Sequence, residues 1–368
     1  MNKPALLVIG FLLFVACQPD NPPAATPTVM VPAGTTTLAP TPLPLASPVP
    51  PSLTPPPSLT PSFTPNPPAS PTNTITPSPT PDPYAGLSIA ELAARPYGGG
   101  QLEIVDTLEE NESFVRYLIR YPSDGLMIYG FLSVPNEGNK FPVAIIAHGY
   151  IDPDVYEVEA YTTRYANALS EAGFFVIHPN FRNYPPSDGG ENPYRIGYAI
   201  DLLNLIAIVR EQSQLTTGPL RRADGQNIHL MGHSMGGGAV LRVITVWPEA
   251  AKAAVLYGSM SGDEAQNYAK VLEWSGGSTG RFELNASPLT LQAISPIYHL
   301  ERIQTAVSIH HSTDDIVVPA VWSDQLCQQL QALNKPVECF TYHNTPHTFN
   351  GPSDALFIQR MIAFFGNY

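Results

Sequence analysis

No extended cluster of lysine and arginine occurs in this sequence, and its 18 basic residues are outnumbered by 31 acidic ones. Neutralising a nucleic-acid backbone requires such clusters, so nucleic acid is excluded as a partner. The net charge of -13 acts mainly on solubility. Apolar runs long enough to cross a bilayer are missing as well. The amino-terminal run Ala5 to Ala16 falls short of the ~20 residues that a spanning helix needs. With Lys3 before it and Cys17 behind it, the run reads as a secretory signal. Cysteine is nearly absent. Apart from Cys17 there are only Cys327 and Cys339, one on a predicted helix and one on the strand that follows. In an exported protein this pair is compatible with a disulfide and equally with two buried thiols. Charge is almost absent from Gln18 to Pro83, where Asp20 and Asp82 stand alone among Pro, Thr, Ser and Ala. Such a segment cannot bury enough apolar surface to offset its ordering entropy, and repeats such as Thr76 to Pro81 favour extended polyproline geometry. At ~3.1 Å per residue this stalk would reach on the order of 200 Å.

The remaining residues, 84–368, suffice for one α/β domain. After a short helix at Leu87 to Arg95, two alternating runs, Phe114 to Tyr121 and Leu126 to Val134, flank the turn Pro122-Ser123-Asp124-Gly125 and form a hairpin. Short apolar strands then alternate with helices. The strands are Pro142 to Ala147, Phe174 to His178, Ile228 to Met231, Ala253 to Tyr257, Ala306 to His310 and Val337 to Tyr342. The helices are Tyr156 to Ala172, Tyr194 to Glu211, Gly238 to Val246, Ala320 to Leu333 and Leu356 to Phe365. This order predicts a mostly parallel sheet with helices on both faces, preceded by an antiparallel hairpin. The stretch 259–300, with Trp274, Phe282 and Tyr298, is an insertion expected to form a small lid.

The chemistry centres on Gly232-His233-Ser234-Met235-Gly236, between a strand and a helix. Glycines flanking a serine at such a turn allow a strained backbone that lifts the hydroxyl clear. A serine hydroxyl needs a base, and the base needs an acid to orient it. In this architecture both lie on loops after later strands. Ser312-Thr313-Asp314-Asp315 follows one strand and Pro346-His347-Thr348 follows another, giving the chain order serine, acid, histidine. His310, His311, Asp314 and Asp315 could also suggest a metal. The triad already explains the carboxylates, and no zincin-type glutamate lies between His343 and His347, so neither a metal nor a cofactor is expected. His233 reads as a packing residue rather than a second base, and Arg182 as an ion-pairing residue that holds loops of the site.

Residues from about 113 to 368 resemble an α/β hydrolase of the prolyl oligopeptidase-like group, the serine peptidase S9 catalytic domain with its esterase relatives. The resemblance rests on Ile146 to Tyr150, Asn180-Phe181-Arg182, Gly232 to Gly237, His310 to Pro319 and Pro346 to Phe349. It implies a serine hydrolase with the triad Ser234, Asp314 and His347. The first aspartate of the pair is preferred by the family pattern and Asp315 is the alternative. It also implies an oxyanion hole made by the backbone N–H groups of Met235 and Tyr150, the Tyr150 side chain being assigned to packing. Peptide and ester bonds are both open as substrates. The family's peptidases restrict access with a β-propeller that this chain lacks, which favours a carboxylesterase. A surface-binding module without turnover is the reading from another class. Phe14-Val15-Ala16-Cys17 resembles a bacterial lipobox and implies a lipid anchor at Cys17, hence an extracytoplasmic, membrane-tethered protein, with plain secretion as the alternative.

Overall fold

A computed structural model describes residues 82–368. The signal run, Cys17 and nearly all of the stalk lie outside the described residues. The domain opens with α1 (Ile89–Ala94), whose N-cap Ser88 and Glu91 form a reciprocal capping box. Then come β1 (Glu103–Glu110), β2 (Phe114–Ser123), β3 (Leu126–Pro135) and β4 (Phe141–Ala147). Next are α2 (Thr163–Glu171), β5 (Phe175–Pro179), α3 (Ile196–Gln212), β6 (Ala223–His233), α4 (Met235–Val246) and β7 (Ala253–Tyr257). The insertion carries α5 (Glu264–Trp274), α6 (Arg281–Leu284) and α7 (Pro288–Ile294). The chain ends with β8 (Ala306–Ser312), α8 (Ala320–Ala332), β9 (Val337–Tyr342) and α9 (Gly351–Gly366).

The strands make one nine-stranded sheet in the order β1-β2-β3-β5-β4-β6-β7-β8-β9. Pairing is antiparallel from β1 through β3 to β5 and parallel across the rest. The expected fold class, a mostly parallel sheet with helices on both faces, is therefore observed. Strands β4, β5, β7 and β8 are almost wholly buried, as is β6 from Ile228 onward, as expected of strands covered on both faces. One core cluster joins the sheet to α1, α3 and α4 through residues such as Leu203, Ile206, Val240 and Ile244. The other joins it to α2 and α9 through Leu169, Phe357, Met361 and Phe364.

Two elements depart from expectation. β1 is absent from the sequence reading because Glu103, Asp106, Glu109 and Glu110 mask its alternation, and register shifts interrupt its pairing. α2 begins at Thr163 rather than Tyr156. The residues before it are held in loop form by side chains drawn into the site, Tyr156 bonding Asn180 and Tyr161 bonding Gly149 and His233. A disulfide joins Cys327 on α8 to Cys339 on β9, resolving the two alternatives left by the sequence.

Candidate active site

β6 delivers Ser234 at its carboxyl end and α4 starts one residue later. Ser234 has φ 54 and ψ -117, the strained turn expected of an elbow, and it is almost buried. The turn is possible only because helix and strand meet without side chains. A Cβ on Gly236 would run into the carbonyl oxygens of Ala147 and His148. Ser234 N–H donates to Tyr257 O at 2.9 Å, and its carbonyl accepts from Met260 N–H at 3.0 Å, so the elbow is pinned to the end of β7.

His347 arrives at the same strand end on the loop after β9. Gly258, with φ +50, leaves room for it, since a Cβ there would stand 3.2 Å from His347 Cε1. The ring of His233 lies 4.6 Å from that of His347, tilted by 37°. His233 Nε2–H donates to the His347 carbonyl at 3.3 Å, so Nδ1 carries the lone pair and accepts from Tyr161 O–H. Burial, reinforced by the neighbouring His347, pushes His233 well below the usual histidine range. A neutral ring bonded at both nitrogens is a packing and positioning group, as expected, rather than a second base.

The acid differs from the sequence expectation. His347 Nδ1 lies 2.6 Å from Asp315 Oδ2, and the Asp315 side chain is 1% exposed. Asp314 is turned outward, where its Oδ2 accepts from Asn344 N–H at 2.7 Å and from Thr313 O–H at 3.0 Å. The triad position assigned to Asp314 is thus occupied by Asp315. The physical reason lies in the turn after β8. Asp314 N–H donates to Ser312 Oγ at 3.1 Å, while Asp315 Oδ1 accepts from Val317 and Val318 N–H at 2.8 and 2.9 Å and so aims its other oxygen inward. His311 Nε2–H reaches that same Oδ2 at 3.0 Å, and His311 Nδ1 accepts from Ser323 Oγ at 2.6 Å. Burial alone would raise the Asp315 pKa. Hydrogen bonds from His311, His347 and Val318 overcome it and hold the carboxyl well below the usual range. Being ionised, Asp315 can only accept, so His347 carries its proton on Nδ1 and leaves Nε2 with a lone pair. His311 is the site residue that sequence reasoning missed as a partner of the acid. The signal was its four-residue spacing from Asp315, which that reasoning weighed only for a metal.

The oxyanion loop His148-Gly149-Tyr150 follows β4. A Cβ on Gly149 would stand 3.1 Å from Ser234 Cβ, so the loop passes directly over the serine. Gly149 N–H donates to Tyr161 Oη at 2.9 Å, and the His148 ring nitrogens lie 2.7 and 2.8 Å from the carbonyls of Gly149 and Asn180. This bracing fixes the loop beside Ser234. The Tyr150 side chain is 67% exposed, which corrects its assignment to packing. Arg182 pairs with the fully buried Asp201 at 2.8 Å, and Asp201 accepts from Ser123 Oγ at 2.6 Å, tying the β5 loop to α3 and β2 as the sequence suggested. His310 does not join the site. It lies in β8 between Ser308 and Tyr342, and burial pushes it down to about 3.

A strained serine at a strand-to-helix turn and a histidine–aspartate pair on loops after later strands, on this sheet order, are features of α/β hydrolases. The α/β hydrolase fold profile matches residues 142–286 and that of the prolyl oligopeptidase family matches residues 217–368. The two profile matches together support an S9-like α/β hydrolase, a hydrolase of the peptidase or esterase kind. It is 22% identical over 258 residues to the uncharacterized peptidase YtmA of Bacillus subtilis (strain 168), covering 68% of this chain and 93% of that protein. Acetyl xylan esterase 1 from Thermoanaerobacterium sp. JW/SL YS485 shares the fold with TM-score 0.53 and 18% identity, over 72% of this chain and 88% of that one. The Pyrococcus horikoshii acylaminoacyl peptidase does so with TM-score 0.53 and 18% identity, over 69% of this chain and 41% of that one.

Proposed function

We propose that the protein hydrolyses carboxylic ester or peptide bonds through an acyl-enzyme on Ser234, with His347 as base and Asp315 as the acid that orients it. The 2.6 Å contact between His347 Nδ1 and Asp315 carries this reading, because it leaves Nε2 able to take the serine proton. Ser234 Oγ attacks the carbonyl as its proton passes to His347 Nε2. Negative charge then develops on the carbonyl oxygen, where the Met235 and Tyr150 N–H groups are the donors. His347 next protonates the leaving alcohol or amine, and water, deprotonated by the same nitrogen, releases the acyl group. Ester cleavage is supported by the likeness in fold to an acetyl xylan esterase that this chain nearly spans. Peptide cleavage is supported by the prolyl oligopeptidase profile over the segment holding Ser234, Asp315 and His347.

A fluorophosphonate probe should label wild type and fail on Ser234→Ala; equal labelling of both would sink the reading. Comparing p-nitrophenyl acyl esters with aminoacyl and dipeptidyl p-nitroanilides separates the two bond types. We further propose export and a lipid anchor at Cys17. The disulfide supports an oxidising compartment. Mass spectrometry of the mature amino terminus tests the anchor, and an unmodified peptide that starts beyond Cys17 would remove it.

A further inference from the structure

A pocket opens beside the elbow, between α4, α5 and the turn that leads into α3. Met235, which follows Ser234 in the chain, and Met260, which bonds its carbonyl, line it together with Arg242. From Met235 to Arg242 along α4 is ~10 Å. The pocket's charges do not cancel. Buried Arg242 is fully engaged, with the Ile294 carbonyl and with Glu264 Oε1. The other Glu264 oxygen accepts from Asn267 Nδ2 at 3.1 Å. Arg195 also lines the pocket, half-buried, its guanidinium 5.3 Å from the Tyr268 ring centroid. Among the described residues it has no ion-pair partner. Glu283, the next acid outward on α6, is not part of the lining. Two arginines and one glutamate leave one uncompensated positive charge.

The backbone reinforces the point. Tyr194 and Arg195 both adopt left-handed conformations, with φ 51 and 56, which are costly for residues with side chains. Arg195 is also the N-cap of α3, where the helix dipole disfavours a cation and no side-chain cap bond forms. A residue that is strained, placed at the wrong end of a helix and without an ion-pair partner is not explained by stability. Strain of this kind is retained where a ligand is bound.

We propose that this pocket is a substrate subsite for a carboxylate, which Arg195 receives, so that the favoured substrates carry an anionic group at the far end of the acyl chain. A guanidinium in a partly desolvated pocket binds a carboxylate through paired, charge-assisted hydrogen bonds. The proposal rests on Ser234 being the nucleophile. The pocket as it stands has room for about one water, so entry of an acyl chain with its carboxylate requires the flexible side chains of Met235 and Met260 to move aside.

The test compares 4-nitrophenyl hemiesters of adipic and pimelic acid with the hexanoate and heptanoate esters of equal chain length. Wild type should show a ratio of kcat/KM, acid over neutral, of ~10 or more, the scale of one desolvated charge-assisted contact. Arg195→Gln should bring the ratio near one, and Arg195→Glu should invert it in favour of the 6-aminohexanoate ester. Adipate should also slow fluorophosphonate labelling of wild-type Ser234 more than hexanoate does, a readout that holds whichever bond the enzyme cleaves. A wild-type preference for the neutral esters, or equal protection by adipate and hexanoate, overturns the subsite, and neither result needs a variant to fold. Failure of the nucleophile assignment looks different: Ser234→Ala would keep both turnover and labelling.

Discussion

The elbow at Gly232 to Gly236 and the acid loop at Ser312 to Pro319 serve the same reaction, yet they are built from different forces. The elbow is fixed by exclusion, with backbone packed against backbone where no Cβ fits and main-chain hydrogen bonds to Tyr257 and Met260 holding the serine. The acid loop is fixed by side-chain attraction, with two imidazoles and two backbone N–H groups converging on one carboxylate. The first should tolerate no added volume. The second should tolerate volume at its rim, where Ile316 is 93% exposed, and no loss of charge at its centre.

The contrast can be broken in order of expected effect. Ser234→Ala should lower kcat by on the order of 10⁶ in steady-state assays, the cost typical of a missing nucleophile. Asp315→Asn should cost about 10⁴ in kcat by leaving His347 in the wrong tautomer. Asp314→Asn should change kcat by less than ~10-fold, since that side chain only braces the loop to Asn344. Equal losses in the two aspartate variants would refute the assignment of Asp315. Replacing Cys327 and Cys339 by serine should destabilise the domain by about 3 kcal/mol in denaturant titration, as expected for opening a bridge between residues 12 apart. Gly236→Ala should cost about 1–3 kcal/mol in the same titration, because backbone at Ala147 and His148 has to shift.

The smallest effect concerns pH. Asp315 is held below its unfolded pKa of about 3.9, so its stabilising contribution is complete above that value and is lost as pH falls toward the folded pKa. Between about pH 4 and pH 2 the wild-type melting temperature should therefore fall more steeply than that of Asp315→Asn. Parallel profiles would show that the carboxylate is not held in this way.

What could be read in advance follows the same division. The succession of strands and helices along the chain, the mostly parallel sheet and the serine turn were legible because glycine positions and apolar runs are local signals. Which of two adjacent aspartates faces inward was not. Asp314 and Asp315 differ by one residue, and the choice is made by hydrogen bonds to Ser312 and Asn344 on one side and to Val317 and Val318 on the other. Likewise, an alternation of apolar and acidic residues too irregular to read hid β1. The pairing of Cys327 with Cys339 needed the distance between a helix and its neighbouring strand, which composition does not contain.

That overlooked strand has a bearing on how molecules of this protein meet one another. Among the described residues β1 lies at the margin of the sheet and pairs with β2 alone, with Ile104, Val105 and Leu108 partly exposed. An uncovered margin of this kind is a template for edge-to-edge aggregation. Glu103, Asp106, Glu109 and Glu110 place like charges along it, so that two copies approaching margin to margin repel.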